Sequence, residues 1–334
     1  MKRRKWILIG IVATAVFMGS LMAYSKISWA KKEAPDTIGC GSRSERLVVF
    51  HAGSLAVPFK QIGEEFEKIY PQVDVQLEAG GSRICARKVT ELHRSADVLA
   101  LADYRIIEEL LMPDYADWYV RFAKNQMVLA FTRRSKYAQE IDSQNWYEVL
   151  TRPGVQYGHS EPNSDPCGYR TILVWQLAEK YYGQPGLFSR LEDCCPKRNI
   201  RPRSVELIAL LEAGELDYAF EYESVATQRK LRFIELPREI DLSSMEFKDF
   251  YKEAFVRLSG KEPGSWVIRR GWPIAYGLII PKRAPNFEMA IKLVEFLLGP
   301  RGQKILAESG QPPIIPPEAS EKAKLPEALR RLVR

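Results

Sequence analysis

Four short turns gather the residue types that can cradle an anion. They are His51-Ala52-Gly53-Ser54, Ala79-Gly80-Gly81-Ser82, Asn163-Ser164-Asp165-Pro166-Cys167-Gly168 and Arg201-Pro202-Arg203-Ser204. Each precedes a stretch with helical periodicity. The first turn of a helix leaves backbone N–H groups without partners and carries partial positive charge, so it attracts anions. Glycine lets the main chain approach a ligand closely, and serine adds a rotatable hydroxyl donor. A plainer alternative stands beside this one. Ser and Asp are common N-caps, Asp165-Pro166 is a good N-cap and N1 pair, and any single turn could be a cap with no ligand.

Nothing comparable points to catalysis. The three histidines, His51, His93 and His159, are scattered, and no Ser-His-Asp or Cys-His arrangement is legible, so no catalytic residue is expected. His51 beside the first turn reads as structural. The cysteines Cys40, Cys85, Cys167, Cys194 and Cys195 are odd in number and lack CxxC spacing, which argues against zinc. A disulfide would suit an oxidising compartment, with its pairing open. No resident cofactor is expected.

The elements that must position these turns alternate between strand and helix. Leu47 to Phe50 is a short apolar run, and Phe59, Ile62, Phe66 and Ile69 then recur at helical spacing until Pro71. Val73, Val75 and Leu77 alternate as a strand, Ile84 to Leu92 looks helical, and Ala96 to Ala102 is apolar again. The same rhythm returns in strands at 126–131, 216–222 and 275–280 and helices at 169–180, 205–211 and 290–298, before a Pro-rich tail. This alternation predicts an α/β chain with mainly parallel sheets, in which ligands bind beyond the carboxyl ends of strands.

The N-terminus adds a compartment. Lys2, Arg3, Arg4 and Lys5 precede an uncharged run from Trp6 to Ser25, and Ser28 and Ala30 sit at the small-residue places of a cleavage site. The segment reads as a secretory signal, or as a retained anchor, since the run is long enough to span a bilayer. The chain's formal charge is +7; taking the five basic residues of the leader from the 49 leaves 44 against 42 acidic, so the body is nearly neutral. That excludes the basic footprint of a nucleic-acid binder.

These motifs together resemble the ModA/WtpA family of molybdate- and tungstate-binding proteins, and the WtpA branch most. His51-Ala-Gly-Ser-Leu55 and Glu78-Ala-Gly-Gly-Ser82 look like the family's first two anion loops. Asn163 to Arg170 is similar to its Asp-Pro-Ala-Gly-Tyr-Arg segment, with Cys167 in place of Ala. Gly214 to Tyr222, running into Ser224-Val225-Ala226, resembles its Gly-Glu-x-Asp-Tyr strand, and the 274–281 and 310–313 segments also match. The resemblance implies a type II periplasmic-binding-protein-like fold, with two α/β lobes and a ligand cleft between them. The expected organisation is a leader at 1–30, a linker at 31–45, lobe I at 46–130 and 273–334, and lobe II at 131–272.

The resemblance also implies roles. Gly53, Ser54 and Ser82 would donate to the anion, as would the N–H of Cys167 beside Pro166 and the phenol of Tyr222. A bare Asp165 should repel an oxyanion; in the WtpA branch, carboxylates instead ligate the metal centre, which suits a hard metal. The branch has a Glu just before the helix near Val205, where this chain has Ser204. Three arrangements stay open: Asp165 acts alone, Glu206 shifts in, or the anion stays tetrahedral with Ser204 as a donor, which is the one favoured. The expected function is an exported, monomeric solute-binding protein of an ABC importer that delivers tungstate or molybdate to a permease and its ATPase. Its membrane association would come from docking or from the N-terminal anchor. The rivals are a receptor for another oxyanion such as sulfate, a tethered anion sensor and, last, a secreted hydrolase.

Overall fold

The computed structural model describes residues 45–334. The leader, the linker up to residue 44 and Cys40 therefore lie outside the described residues.

The first half of the chain alternates as expected. Strand β1 (Glu45–Ala52) leads through a 3₁₀ turn at Gly53–Leu55 into α1 (Ala56–Ile69), followed by β2 (Val73–Gly80), α2 (Ser82–Thr90), β3 (Val98–Leu101) and β4 (Val120–Lys124). The apolar stripe of α1 is buried through Phe59, Ile62 and Phe66, and residue 70, ahead of Pro71, leaves helical geometry as a pre-proline residue tends to. Then come β5 (Met127–Phe131), α3 (Trp146–Leu150), β6 (Tyr157–Ser160), α4 (Pro166–Tyr181), α5 (Leu187–Cys194), β7 (Ile200–Arg201), α6 (Val205–Ala213) and β8 (Tyr218–Tyr222). Next are α7 (Glu223–Gln228), β9 (Arg232–Glu235), α8 (Lys248–Tyr251), β10 (Phe255–Ser259), β11 (Trp266–Arg270), β12 (Ala275–Ile279), α9 (Phe287–Leu298), α10 (Pro300–Glu308) and β13 (Pro313–Ala319).

Two sheets organise these elements. One has six strands in the order β13-β4-β12-β3-β1-β2, the other five in the order β7-β6-β8-β5-β9, and β10 and β11 form a separate ribbon. The α/β class holds, but the sheets are mixed. β1 pairs in parallel with β2 and β3, whereas β12 runs antiparallel to β3 and β4. β8 is parallel to β6 and antiparallel to β5. Antiparallel strands arise because the chain leaves one sheet between β4 and β5 and returns at β12. The strand at 127–131, expected in lobe I, lies in the five-stranded sheet between β8 and β9. Its run is apolar and fully buried, so periodicity carries no information about its partners.

The Pro-rich tail is not a loop. β13 lies at the sheet edge on β4, where prolines cost few ladder bonds. Asn125 holds the first crossing: its amide donates to Ser224 Oγ at 2.8 Å and to the Tyr276 hydroxyl at 3.1 Å, joining β4, α7 and β12. Cys85, Cys167, Cys194 and Cys195 form no disulfide.

Candidate anion-binding site

The four turns converge. Gly53 follows β1 and lies against the start of α6, where a Cβ on it would fall 3.3 Å from a Val205 methyl. Gly81 follows β2 and meets the turn before α4, where a Cβ would fall 2.4 Å from the Ser164 carbonyl oxygen. Both glycines thus sit where strand ends of the six-stranded sheet touch helix starts of the five-stranded one. Ser54, Ser82, Asp165, Cys167, Ser204 and Tyr222 are all buried.

Capping does not account for the serines. Gly53–Leu55, α2 and α6 all begin without a side-chain cap hydrogen bond, so Ser54, Ser82 and Ser204 keep their hydroxyls for other partners. Ser82 Oγ accepts the Ala102 N–H at 2.9 Å, which leaves its own proton to give. Ser54 Oγ lies 2.7 Å from the Tyr276 hydroxyl, which accepts from Asn125. Either hydroxyl can be the donor of that bond, and where Tyr276 gives its proton to Ser54 the Ser54 proton is free as well. Burial keeps the Tyr276 phenol protonated by raising it far above its ordinary value. The Tyr222 hydroxyl accepts from Arg170 Nη1 at 2.6 Å and likewise retains a proton to donate.

Asp165 is an N-cap, and more. Its Oδ1 accepts the Cys167 N–H at 3.2 Å and its Oδ2 accepts the Ser204 N–H at 2.8 Å, so one carboxylate holds the starts of α4 and α6 together. The Cys167 N–H assigned to an anion is therefore given to Asp165 in this structure. Burial raises Asp165 above the usual carboxylate range, and the two N–H groups and Arg170 oppose that. Glu206 ion-pairs with Arg203 at 2.6 Å and remains partly exposed.

Arg170, Tyr276, Asn125 and Glu221 belong to this neighbourhood although no role was read for them from sequence. Arg170 is fully buried and also donates to the Ala102 carbonyl at 2.9 Å. Glu221 is a second buried carboxylate: burial first, then the charge of Asp165, pushes it up to about 8. Its position was the available signal, as a lone acid in the apolar strand Tyr218–Tyr222. His51 Nδ1 donates to the Ala52 carbonyl at 2.8 Å and the ring packs on Phe59, and burial lowers its pKa. His159 bonds the Ser160 carbonyl and meets Trp175 edge-on. Both are held as structural residues.

The raised pKa of Glu221 has a consequence for stability. Its ordinary value is 4.5, so between pH 4.5 and about 8 the folded chain holds a proton that the unfolded chain has lost. Stability is fully present below 4.5 and is lost as pH rises through about 8; Asp165 acts in the same sense. Glu221→Gln is expected to flatten this decline. Thermal melts of the ligand-free protein across that window check it, and parallel curves for the two proteins would refute it.

The profile of the bacterial extracellular solute-binding protein family matches residues 47–311. The chain belongs to this family. A solute-binding protein of Petrotoga mobilis is 53% identical, covering 85% of this chain and 88% of its own. The molybdate/tungstate-binding protein WtpA of Pyrococcus abyssi is 41% identical, covering 88% of this chain and 91% of its own. Among solved structures, the periplasmic molybdate-binding protein of Azotobacter vinelandii aligns with a TM-score of 0.59 at 17% identity, over 79% of this chain and 98% of its own. At that identity the likeness establishes the fold, that of type II periplasmic solute-binding proteins.

Proposed function

We propose that this protein captures tungstate or molybdate outside the cytoplasm and delivers it to the permease of an ABC importer. The observation that carries the reading is the meeting of the turns that hold Ser54, Ser82, Asp165 and Ser204, beside buried hydroxyls of Ser82 and Tyr222 that each accept one bond and keep a proton to donate. Donors of this kind suit the oxo oxygens of an anion. A carboxylate among them suits an anion whose central metal accepts oxygen donors. The sulfur of sulfate offers no such vacancy. The two Asp165 oxygens accept one N–H each, and each keeps a lone pair for the metal. The relative named as a molybdate/tungstate-binding protein supports the same ligand.

The two sheets serve as the cores of two lobes that hinge near Asn125 and near the return to β12. Capture closes the lobes over the anion, and the closed monomer docks on the permease. Gly53, the first turn of α4 at Pro166 and Cys167, and Ser204 complete the surround of the anion.

Titration calorimetry with tungstate, molybdate, sulfate and phosphate tests the reading. Tight binding of tungstate or molybdate is expected. Sulfate binding with none of either metal oxyanion would overturn it. Ser54→Ala and Ser82→Ala should each weaken binding by about 1–3 kcal/mol, the cost of a lost hydrogen bond to a charged group.

A further inference from the structure

The ribbon of β10 and β11 belongs to neither large sheet. A two-stranded ribbon is barely stable alone, so its place is set by what it touches. One face is turned inward through Val256, Leu258 and Arg269, all buried. The ribbon is carried on α4. β10 packs on that helix, and the Gln176 side chain makes two 2.9 Å bonds with the main chain of Phe255. At the far end of β10, the Ser259 N–H and hydroxyl both donate to Asn163 Oδ1, at 2.8 and 3.1 Å, in the turn before α4.

The same ribbon is also held by elements of the six-stranded sheet. Arg83, next to Ser82 in α2, donates to the Ser259 carbonyl. Arg87, one turn further on, donates to Ser259 Oγ at 3.0 Å and to the Gly260 carbonyl at 3.2 Å. Arg105, beyond β3, donates to the Arg270 carbonyl at 2.9 Å. Glu109 pairs with Arg83 at 2.9 Å and with Arg269 of the ribbon. Ser259 is therefore bonded from both sides at once. Arg83 and Arg269 are buried, and the desolvation of such charges offsets most of what their pairing contributes. An apolar contact of this extent would hold the two sides together permanently. A charged one leaves the joined and parted states near balance, so that a bound anion can decide between them.

We propose that the β10–β11 ribbon is a clasp: it travels with α4 and, when the lobes close over the anion, fastens onto α2 and Glu109, so that release of the anion waits for these bonds to break. The inference rests on the two-lobe reading above. The open form makes none of the clasp bonds, so the effect falls on dissociation and not on capture.

The test uses the full chain loaded with radiolabelled tungstate and chased with unlabelled tungstate. Ser259→Ala and Arg87→Met leave the main-chain pairing of the ribbon in place. Each is expected to speed release by about fivefold, with association changed by less than about twofold. Glu109→Gln takes the shared counter-charge from Arg83 and Arg269 and should speed release by about tenfold or more. Small-angle scattering of the wild type should show a larger radius of gyration empty than loaded. Variants that melt at lower temperature yet release tungstate at the wild-type rate would overturn the proposal, since the ribbon would then be a fixed part of the fold. So would a loss of affinity that lay wholly in slower association, or a wild type that binds tungstate and scatters identically empty and loaded. A wild-type protein that binds neither tungstate nor molybdate would instead overturn the ligand assignment.

Discussion

Gly81→Ala is expected to lower oxyanion affinity by about ten- to hundredfold, the equivalent of the 1–3 kcal/mol typical of an overpacked contact. Gly81 has φ −63° and ψ 138°, a conformation open to any residue, so the substitution carries no backbone strain of its own. The cost comes from the approach of the turn after β2 to the turn before α4. A Cβ on Gly81 would lie 2.4 Å from the Ser164 carbonyl oxygen and 3.0 Å from its carbon. Both obstacles are backbone and cannot swing aside. The penalty therefore falls on the state in which the two turns touch, which is the state proposed to surround the anion. Gly53→Ala provides the contrast, because its added Cβ would meet the Val205 side chain at 3.3 Å, and a side chain can yield. Calorimetry on both variants, with melts of the ligand-free proteins, decides the matter. If Gly81→Ala lost stability with affinity intact, the two turns would be in contact whether or not the site is filled.

This contact also shows what was legible in the sequence. Local signals placed the turns. Gly and Ser before a helical period are visible without partners, and Gly53, Ser54, Gly81, Ser82, Asp165 and Ser204 come together in the fold. The apolar stripe of α1 and the alternation of β2 were equally local. What escaped depends on pairing. Met127–Phe131 is uniformly buried, and only its antiparallel register with β8 and β9 assigns it to a sheet. Three prolines hid β13, because an edge strand tolerates residues that would break a central one. Glu221 was visible as a residue and passed over as part of a strand motif. Its meaning comes from Asp165, 56 positions earlier in the chain, and no periodicity predicts that neighbour. The same holds for Tyr276, which reaches Ser54 across 222 positions.

Arg170→Leu is expected to destabilise the protein by about 3–5 kcal/mol, as removal of one partner from a buried charge network does. It is also expected to weaken oxyanion binding. The guanidinium, with almost no exposed surface, ties α4 to the end of β3: Nη1 donates to the Ala102 carbonyl at 2.9 Å, and Nη2 lies 3.5 Å from Asp103 Oδ2. Tyr169 adds a 2.6 Å bond from its hydroxyl to the same carboxylate. Asp103 is itself buried, and the charges of Arg105, Arg170 and Arg269 hold it ionised against desolvation. Leucine would leave Asp103 with less compensation and the Ala102 carbonyl short of a donor. It would also free the Tyr222 hydroxyl to turn, since Arg170 accounts for its accepting bond. The positive charge has a second effect, because it acts on both Asp165 and Tyr222 in the proposed oxyanion site. Denaturant melts read the first effect and calorimetry the second. Asp103→Asn separates them: it relaxes the charge balance at the β3 end but keeps Arg170 and its bond to Tyr222. If Arg170 served the fold alone, the two variants would lower oxyanion affinity equally. The expected result is a much larger loss for Arg170→Leu, because only that substitution removes positive charge from beside the carboxylate and phenol proposed to face the ligand.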